Sequence, residues 1–251
     1  ASGYNLTILI RFARRLFVKI SRFSALALSG GLVYCFALVT GWSPSMTRAG
    51  LIAGLSLLAW YFGRKYHPLV LLSFSASVTV FINPTYAWGD IGWLLSFTSF
   101  VGVILLAPLI HAYFWGNNRP GSIRQVFIET LSAQFMTLPI IAFVFAQYSP
   151  LALPANVLIL PLIPLTMLLT FVAGIAGVVF APIAFIVGWP AETVMRYMTY
   201  VVDVLAQSRY ASMETTFTIS TVVVFYLVLV SLMIFLQRRT NYQLREFNVI
   251  E

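Results

Sequence analysis

Charged residues, cysteine and histidine are all scarce in this sequence of 251 residues. Only 9% of the residues are charged, whereas a soluble domain carries about a quarter. The single cysteine, Cys35, excludes an intrachain disulfide and a cysteine-based metal site. The two histidines, His67 and His111, form no metal-binding motif, and the sequence has no phosphate-binding loop of the GxxxxGK type. We therefore expect neither a metal site nor an ATP-driven motor in this chain.

Apolar residues make up 60% of the chain, and the mean hydropathy is +0.92. This composition excludes a water-soluble globule, a disordered chain and a fibrous repeat. Apolar runs bounded by proline, glycine and charge instead predict an all-α fold, a polytopic helical bundle integral to a membrane. The eight predicted transmembrane segments are 23–40, 46–62, 67–82, 91–110, 126–146, 154–180, 182–206 and 216–236.

Three parts of this series depart from a simple crossing. Segments 46–62 and 67–82 are short for a transmembrane helix. The proline-rich stretch 150–164 is predicted to be either a broken or a re-entrant segment. The first apolar run, 6–10, is too short to cross, and the positive charges follow it rather than precede it as in a signal peptide. We therefore expect residues 1–251 to be one membrane domain cut from a longer protein, beginning with a truncated helix.

The net charge of +8 has an uneven distribution along the predicted topology. Alternating the eight segments places twelve basic residues on one side of the membrane and only Arg48 and Arg209 on the other. The twelve are Arg11, Arg14, Arg15, Lys19, Arg22, Arg64, Lys65, Arg119, Arg124, Arg238, Arg239 and Arg245. Because cytoplasmic loops accumulate Lys and Arg, this side and the C-terminus are predicted to be cytoplasmic. Most of the positive charge therefore needs no anionic ligand.

Segment 11–23 is predicted to be a basic amphipathic helix. Its basic residues share one helical face, and apolar residues follow the same spacing on the next face. The basic face consists of Arg11, Arg15, Lys19 and Arg22. The simplest interpretation is a helix lying on the inner leaflet of the membrane, and the alternative is a nucleic-acid contact at the exit of a channel.

Polar residues also occur inside the predicted transmembrane segments, where they are costly and usually face the bundle interior or water. Segment 182–206 and the residue after it carry a stripe at helical spacing, made of Glu192, Arg196, Thr199, Asp203 and Gln207. Glu192 and Arg196 are spaced for an ion pair. The stripe either lines a channel, forms a seam of hydrogen bonds between helices, or lies partly in water outside the membrane. Thr130, Gln134, Thr137 and Asn156 are likewise either interhelical hydrogen-bonding residues or lining residues.

Five groups of short motifs follow one another over residues 2–170. They are Ser2-Gly3-Tyr4-Asn5; Thr40-Gly41-Trp42-Ser43-Pro44-Ser45 with Arg48-Ala49; Asn83-Pro84 with Asp90-Ile91-Gly92-Trp93-Leu94-Leu95-Ser96-Phe97; Thr130-Leu131-Ser132-Ala133-Gln134 with Thr137-Leu138-Pro139; and Gln147-Tyr148-Ser149 with Ala155-Asn156 and Pro161-Leu162-Ile163-Pro164. In this order they resemble the membrane domain of the ComEC competence-protein family. Asn83 and Trp93 depart from the Asp and Phe that are usual there, and Tyr4-Asn5 from Leu-His.

The resemblance implies a channel that passes single-stranded DNA across the bacterial cytoplasmic membrane during natural transformation. The nuclease-like domain of some family members is absent, because the chain has no HxHxDH motif, so we expect no enzymatic activity. Candidate partners are single-stranded DNA, membrane lipid, a cytosolic ATPase, an extracytoplasmic DNA receptor and further copies of the chain. No cofactor or metal is expected.

A polyanion needs a sparsely polar path, because many cations would trap the strand. The predicted path consists of Arg48, Asn83, Ser96, Gln134, Thr137, Asn156, Glu192, Arg196 and Asp203. Arg48, at the outer end of its segment, either meets entering phosphates or extends to the membrane interface. The alternative function is a small-solute transporter or permease, although the sequence shows no convincing internal repeat. An intramembrane enzyme is not favoured, because the sequence offers no nucleophilic side chain paired with a general base.

Overall fold

The computed structural model describes residues 6, 9–10, 13–14, 17–18, 21–41, 43–64, 67–116 and 121–240, apart from the side chains of Pro44, Ser122 and Ala181. Most of the basic face predicted in 11–23, namely Arg11, Arg15 and Lys19, lies outside these residues. The chain divides into two compact units, of which the first ends at Leu105 and the second begins at Leu106. We call them the N-terminal and C-terminal units.

The described part of the N-terminal unit includes five helices, of which all but the shortest begin at a capping side chain or a proline. They are α1 (Arg22–Thr40), α2 (Pro44–Tyr61), α3 (Pro68–Ile82), the short α4 (Tyr86–Gly89) and α5 (Ile91–Val101). Helix α2 is central, because it packs against α1, α3 and α5. The core is formed by Leu6, Ile10, Ala37, Met46, Ala49 and Leu57. This packing brings the second turn of α2 against α5.

A π-helical turn, Gly102–Leu106, continues α5 into the next helix. The C-terminal unit contains α6 (Ala107–Trp115), α7 (Ser122–Phe145), β1 (Gln147–Tyr148), α8 (Ala152–Ile159), a 3-10 turn (Leu160–Leu162), α9 (Ile163–Val179), α10 (Ala181–Ala206), β2 (Met213–Glu214) and α11 (Ile219–Thr240). Helix α9 packs along α10, and α11 packs against α6 and α7.

An antiparallel two-stranded ribbon adds a small β element to the predicted all-α fold. Strand β1 follows α7 and strand β2 follows α10, with Gln147 opposite Glu214 and Tyr148 opposite Met213. The pairing brings the ends of α7 and α10 to the same side of the unit. Two helical stretches lie between the strands, the first from α8 to α9 and the second α10. Together they return the chain to the side from which it started, as two membrane crossings would do.

Five helical stretches of the described chain are long and apolar enough to cross a membrane: Arg22–Thr40, Ile91–Trp115, Ile123–Phe145, Ala152–Val179 and Ile219–Thr240. They confirm the predicted membrane-spanning helical bundle. Helix α3 is apolar but shorter, and α2 and α10 are helical without belonging to the five. The number of eight crossings stays a prediction.

The proline-rich stretch 150–164 forms a broken helix. Helix α8 ends at Ile159, and the 3-10 turn Leu160–Leu162 connects it to α9. Pro161 and Pro164 contribute to the break, because a proline supplies no N–H for an α-helical hydrogen bond.

Candidate functional site

The turn between α1 and α2 fixes the position of Arg48. Gly41 follows α1 with a φ of +84°, a conformation that glycine adopts without steric cost. The Ser43 hydroxyl then caps α2 by accepting a hydrogen bond from the backbone N–H of Met46 at 3.2 Å. Arg48 therefore lies in a turn of helix that is anchored at its start.

The loop 83–90 fixes the opposing helix in a similar way. The Asn83 Oδ1 atom accepts hydrogen bonds from the N–H and the hydroxyl of Thr85, at 3.2 and 2.7 Å. The Asp90 carboxylate then caps α5 by accepting from the N–H of Trp93 at 2.6 Å. A Cβ atom on Gly92 would lie 3.1 Å from this carboxylate, so a larger residue there would crowd the cap. Asn83 thus shapes a turn in this structure.

Trp93 attaches α5 to α3. Its indole Nε1–H donates to the Thr79 hydroxyl at 2.9 Å, and Thr79 is almost completely buried. The Trp93 ring also packs on Phe97, with 4.4 Å between ring centroids. Residues 93, 96, 97 and 100 fall on one helical face of the continuous helix. This face carries the contacts with Arg48.

Arg48 is a buried cation with a polar and an aromatic environment. Its Nε–H donates to the Ser96 hydroxyl at 2.8 Å. Its guanidinium carbon lies 4.8 Å from the ring centroid of Phe100 and 5.7 Å from that of Phe97, within the range of cation–π interactions. Arg48 is only 6% exposed, and no carboxylate among the described residues forms an ion pair with it. The guanidinium therefore packs on α5. It does not extend to the membrane interface, which was one of the two predictions for Arg48.

A second polar site lies midway along α7. Gln134 is eleven residues from each end of the apolar stretch Ile123–Phe145. Its Nε2 donates to the backbone carbonyl of Ser149 at 3.3 Å, and its buried Oε1 has no hydrogen-bond partner among the described residues. The eleven residues from Gln134 to the end of α7 span about 16 Å. The segment 146–151 must therefore fold back along α7 to bring Ser149 to Gln134, and we call it the return segment.

Local geometry explains this reversal. Ala146 ends α7 with a left-handed φ of +53°, and its carbonyl accepts a hydrogen bond from the N–H of Thr215 at 2.9 Å. Strand β1 then packs against α7. The Ser212 hydroxyl donates to Gln147 Oε1 at 3.1 Å. The return segment and the β ribbon thus place exposed polar side chains, including Gln147 and Glu214, near the C-terminal half of an apolar helix.

The polar stripe of α10 lies on an exposed face. Arg196 forms the ion pair that its spacing predicts, with its Nη2 and Nε atoms 2.7 and 3.0 Å from Glu192 Oε1. Thr199 and Asp203 are exposed on the same side, and the Thr199 hydroxyl bonds only to carbonyls of its own helix. Ala191 and Val201 of the same helix are buried and lie off the stripe. Among the described residues, the stripe therefore forms no hydrogen-bonded seam with another helix.

The structure brings together some of the predicted path residues and separates others. Arg48 meets Ser96, and Glu192 meets Arg196. The Thr137 hydroxyl instead bonds to Ala133 of its own helix at 2.9 Å. Asn156 is exposed on α8. Among the described residues, no three His, Cys, Asp or Glu side chains are grouped to hold a metal ion.

Sequence reasoning missed the two rings that pack on Arg48, Phe97 and Phe100. It also missed the Thr79 hydroxyl that binds Trp93 and the Ser149 carbonyl that binds Gln134. Phe97 and Ser149 belong to the short motifs of the sequence, so they could have been predicted from those motifs. Phe100 and Thr79 lie outside the motifs and could not.

These features define a polytopic helical membrane protein whose short motifs meet across helices. A model of the Competence protein family matches residues 1–239, so the chain belongs to that family. It is also similar to ComE operon protein 3 of Bacillus subtilis (strain 168), with 28% identity over 140 residues. The matched part is 56% of this chain and 17% of that protein, so the chain spans only a small part of the relative. No solved structure matches the chain.

The family match confirms the resemblance noted in the motifs. The similarity to ComE operon protein 3 agrees with this family. The apolar helices indicate a membrane protein.

Proposed function

We propose that this chain forms part of a path by which single-stranded DNA crosses the bacterial cytoplasmic membrane during natural transformation. The observation that carries the proposal is the non-helical return segment, which reaches Gln134 in the middle of the apolar stretch Ile123–Phe145. Irregular backbone at membrane depth is tolerated only where protein buries it or where it lines a water-filled cavity. Because the β ribbon carries exposed polar groups, the water-filled cavity is the better of these two explanations.

The polarity of this region suits a passing polyanion. Gln134 offers an amide whose Oε1 has no partner in the described part of the chain, and Gln147 offers a second amide. Amides can exchange hydrogen bonds with water, phosphate or base edges without holding a strand by charge. Because phosphate contacts with Lys and Arg supply most nonspecific affinity for DNA, a path with few cations releases the strand readily.

The stripe on α10 is the second supporting observation. Its exposed Glu192 and Arg196 neutralise each other locally, and Asp203 leaves the stripe polar with a net charge of −1. A polar face on a 26-residue helix is costly against lipid and suits contact with water. We therefore assign this face to the aqueous path, within one copy or between copies of the chain.

The remaining parts of the proposal concern direction and partners. The twelve basic residues predicted on one side would face the cytoplasm, together with the C-terminus. We propose that the chain itself makes and breaks no covalent bond. A cytosolic ATPase would then supply the driving force, and an extracytoplasmic receptor would deliver the DNA.

The first experiment replaces the central amide. In the full-length protein of a transformable bacterium, Gln134→Leu should lower the uptake of labelled DNA at least about tenfold, because an apolar side chain loses the polar contact at mid-membrane. Gln125→Leu is the matched control, since Gln125 lies on the same helix but is exposed near its start. Uptake is measured as label protected from external nuclease, with membrane levels determined by immunoblot. Unchanged uptake by a well-inserted Gln134→Leu protein contradicts the proposal.

A second experiment tests whether the stripe meets water. Single cysteines at positions 196 and 203, in a Cys35→Ser background, should react with a membrane-impermeant maleimide, and bound DNA should slow the reaction. A cysteine at the buried Val201 is the control. Equal, slow labelling at all three positions would contradict an aqueous path along α10.

A small-solute permease is the second candidate function. The helix break at Leu160–Leu162 favours it, because discontinuous helices form the substrate sites of many secondary transporters. A permease would carry solute across liposomes in a saturable way without DNA. The Gln134→Leu variant would then alter solute flux and leave DNA uptake at the wild-type level.

A further inference from the structure

We infer that Arg48 is the binding group of a site for a phosphodiester anion, formed where α2 meets α5. The inference deepens the proposed function and rests on it only in taking a DNA strand as one source of the phosphodiester. Its structural basis is the combination of a buried guanidinium, a single anchoring hydrogen bond and two aromatic rings.

The guanidinium is held so that its terminal amino groups stay available. The Nε–H is engaged by Ser96, while Phe97 and Phe100 pack against the guanidinium. In the described part of the chain, neither Nη atom has a hydrogen-bond partner. The fully enclosed polar atoms without a partner are Ser29 Oγ, Ser75 Oγ, His111 Nε2, Ser132 Oγ and Gln134 Oε1, and the Arg48 amino groups are not among them. The residual 6% of exposed surface therefore leaves an opening to these groups.

The buried positive charge of Arg48 favours an anion at this position. A buried charge normally has a partner, because desolvation costs several kcal/mol. Arg48 has no carboxylate partner among the described residues, and cation–π contacts offset only part of the cost. The paired N–H groups of a guanidinium match two phosphate oxygens in a bidentate arrangement. A phosphodiester monoanion would satisfy both the charge and the donors.

The surrounding caps make the site rigid before any ligand arrives. Ser43 fixes the start of α2, Asp90 fixes the start of α5, and the Trp93 indole ties α5 to Thr79. A rigid site loses little conformational entropy on binding. This arrangement differs from a surface arginine, whose flexible side chain contributes little beyond its charge.

Two sources supply this chemistry. One is the backbone of single-stranded DNA, and the other is the headgroup of a phospholipid such as phosphatidylglycerol. The experiment uses the full-length protein purified in detergent and has one arm for each source.

The DNA arm measures the anisotropy of fluorescein-labelled thymidine 20-mers with either a phosphodiester or an uncharged methylphosphonate backbone. Arg48→Met should weaken phosphodiester binding about tenfold and leave methylphosphonate binding unchanged, since only the former loses a charged contact. Arg64→Met is the matched control, because Arg64 is exposed in the same unit. The lipid arm counts phosphatidylglycerol molecules retained by each variant in native mass spectrometry. Loss of one bound lipid in Arg48→Met alone would identify lipid as the source.

Equal DNA affinity and equal lipid retention in Arg48→Met and Arg64→Met would overturn the inference. Stability separates a binding role from a structural one. Methionine is similar in length and carries no charge to desolvate, so Arg48→Met should melt no lower than the wild type if the charge serves a ligand. A lower melting temperature with unchanged binding would make Arg48 a purely structural residue and would also overturn the inference.

Two further variants keep the test decisive if Arg48→Met does not fold. Ser96→Ala keeps the charge but releases Nε, and Arg48→Lys keeps the charge but loses the forked donors. Both should weaken phosphodiester binding by several-fold relative to Arg64→Met, and wild-type binding by both would contradict the site. Gln134→Leu distinguishes this outcome from failure of the proposed function. If Gln134→Leu abolishes DNA uptake while the Arg48 variants bind normally, the path stands without this site.

Discussion

Arg48 and Arg196 both lie within helical segments predicted to cross the membrane, yet their surroundings differ in every respect. Arg48 is 6% exposed and bonds to Ser96, which is 48 positions away in the sequence. Arg196 is exposed and bonds to Glu192, one helical turn before it. The comparison shows two different uses of arginine. Arg48 joins two helices, and Arg196 neutralises a neighbouring charge on its own helix.

The difference has energetic consequences. Contacts between helices bury side chains that depend on the packing of the whole unit. Contacts within one exposed helix turn are weak and depend little on the remainder of the fold. Substitutions around Arg48 should therefore affect stability far more than substitutions around Arg196.

The largest effect is expected for Phe97→Ala. Phe97 is 7% exposed and packs on both Arg48 and Trp93, so its removal leaves a cavity beside the cation. Replacement of a buried phenylalanine by alanine costs about 3–5 kcal/mol. The melting temperature of the detergent-solubilised protein should fall clearly. Phe185→Ala is the control for the C-terminal unit, because Phe185 is 79% exposed on α10. Equal melting temperatures for the two variants would remove the distinction between the regions.

A smaller effect is expected for Thr79→Val, which keeps the shape of the side chain but removes the hydroxyl that accepts from Trp93. The indole N–H then lacks its partner, which costs about 1 kcal/mol for an interhelical hydrogen bond in a membrane protein. Ser77→Ala on the same helix is the control, since Ser77 is exposed and bonds only to the carbonyl of Ser73. Native-state hydrogen exchange of the α5 amides provides a local measurement. Faster exchange in Ser77→Ala than in Thr79→Val would show that Thr79 does not anchor α5.

Much of the fold followed from sequence because hydrophobic periodicity is a local property. The helical class, the positions of the apolar stretches and the spacing of Glu192 and Arg196 all depend on residues a few positions apart. The break at 160–162 also has a local cause in its prolines.

The remaining features depend on contacts that no local pattern encodes. The two strands Gln147–Tyr148 and Met213–Glu214 are two residues long and lie far apart in the sequence, so neither shows an alternating pattern. The burial of Arg48 was not predictable from the sequence for the same reason. It depends on packing against α5 and not on the residues near Arg48 in its own helix. The motif resemblance named Arg48 and Ser96 without indicating that they touch. Residue spacing predicted the stripe on α10, but only the fold shows that the stripe is exposed.

The smallest effect is expected for the Glu192–Arg196 pair. A double-mutant cycle of Glu192→Gln and Arg196→Gln should give a coupling energy of about 0.3–0.5 kcal/mol at low salt, because both side chains are exposed and the charges are solvated. Raising the salt concentration should reduce the coupling further, since exposed pairs are screened. A coupling well above about 1 kcal/mol that is insensitive to salt would mean that the pair is shielded from water in the assembled protein. The stripe would then be a buried contact, and the contrast with Arg48 would no longer hold.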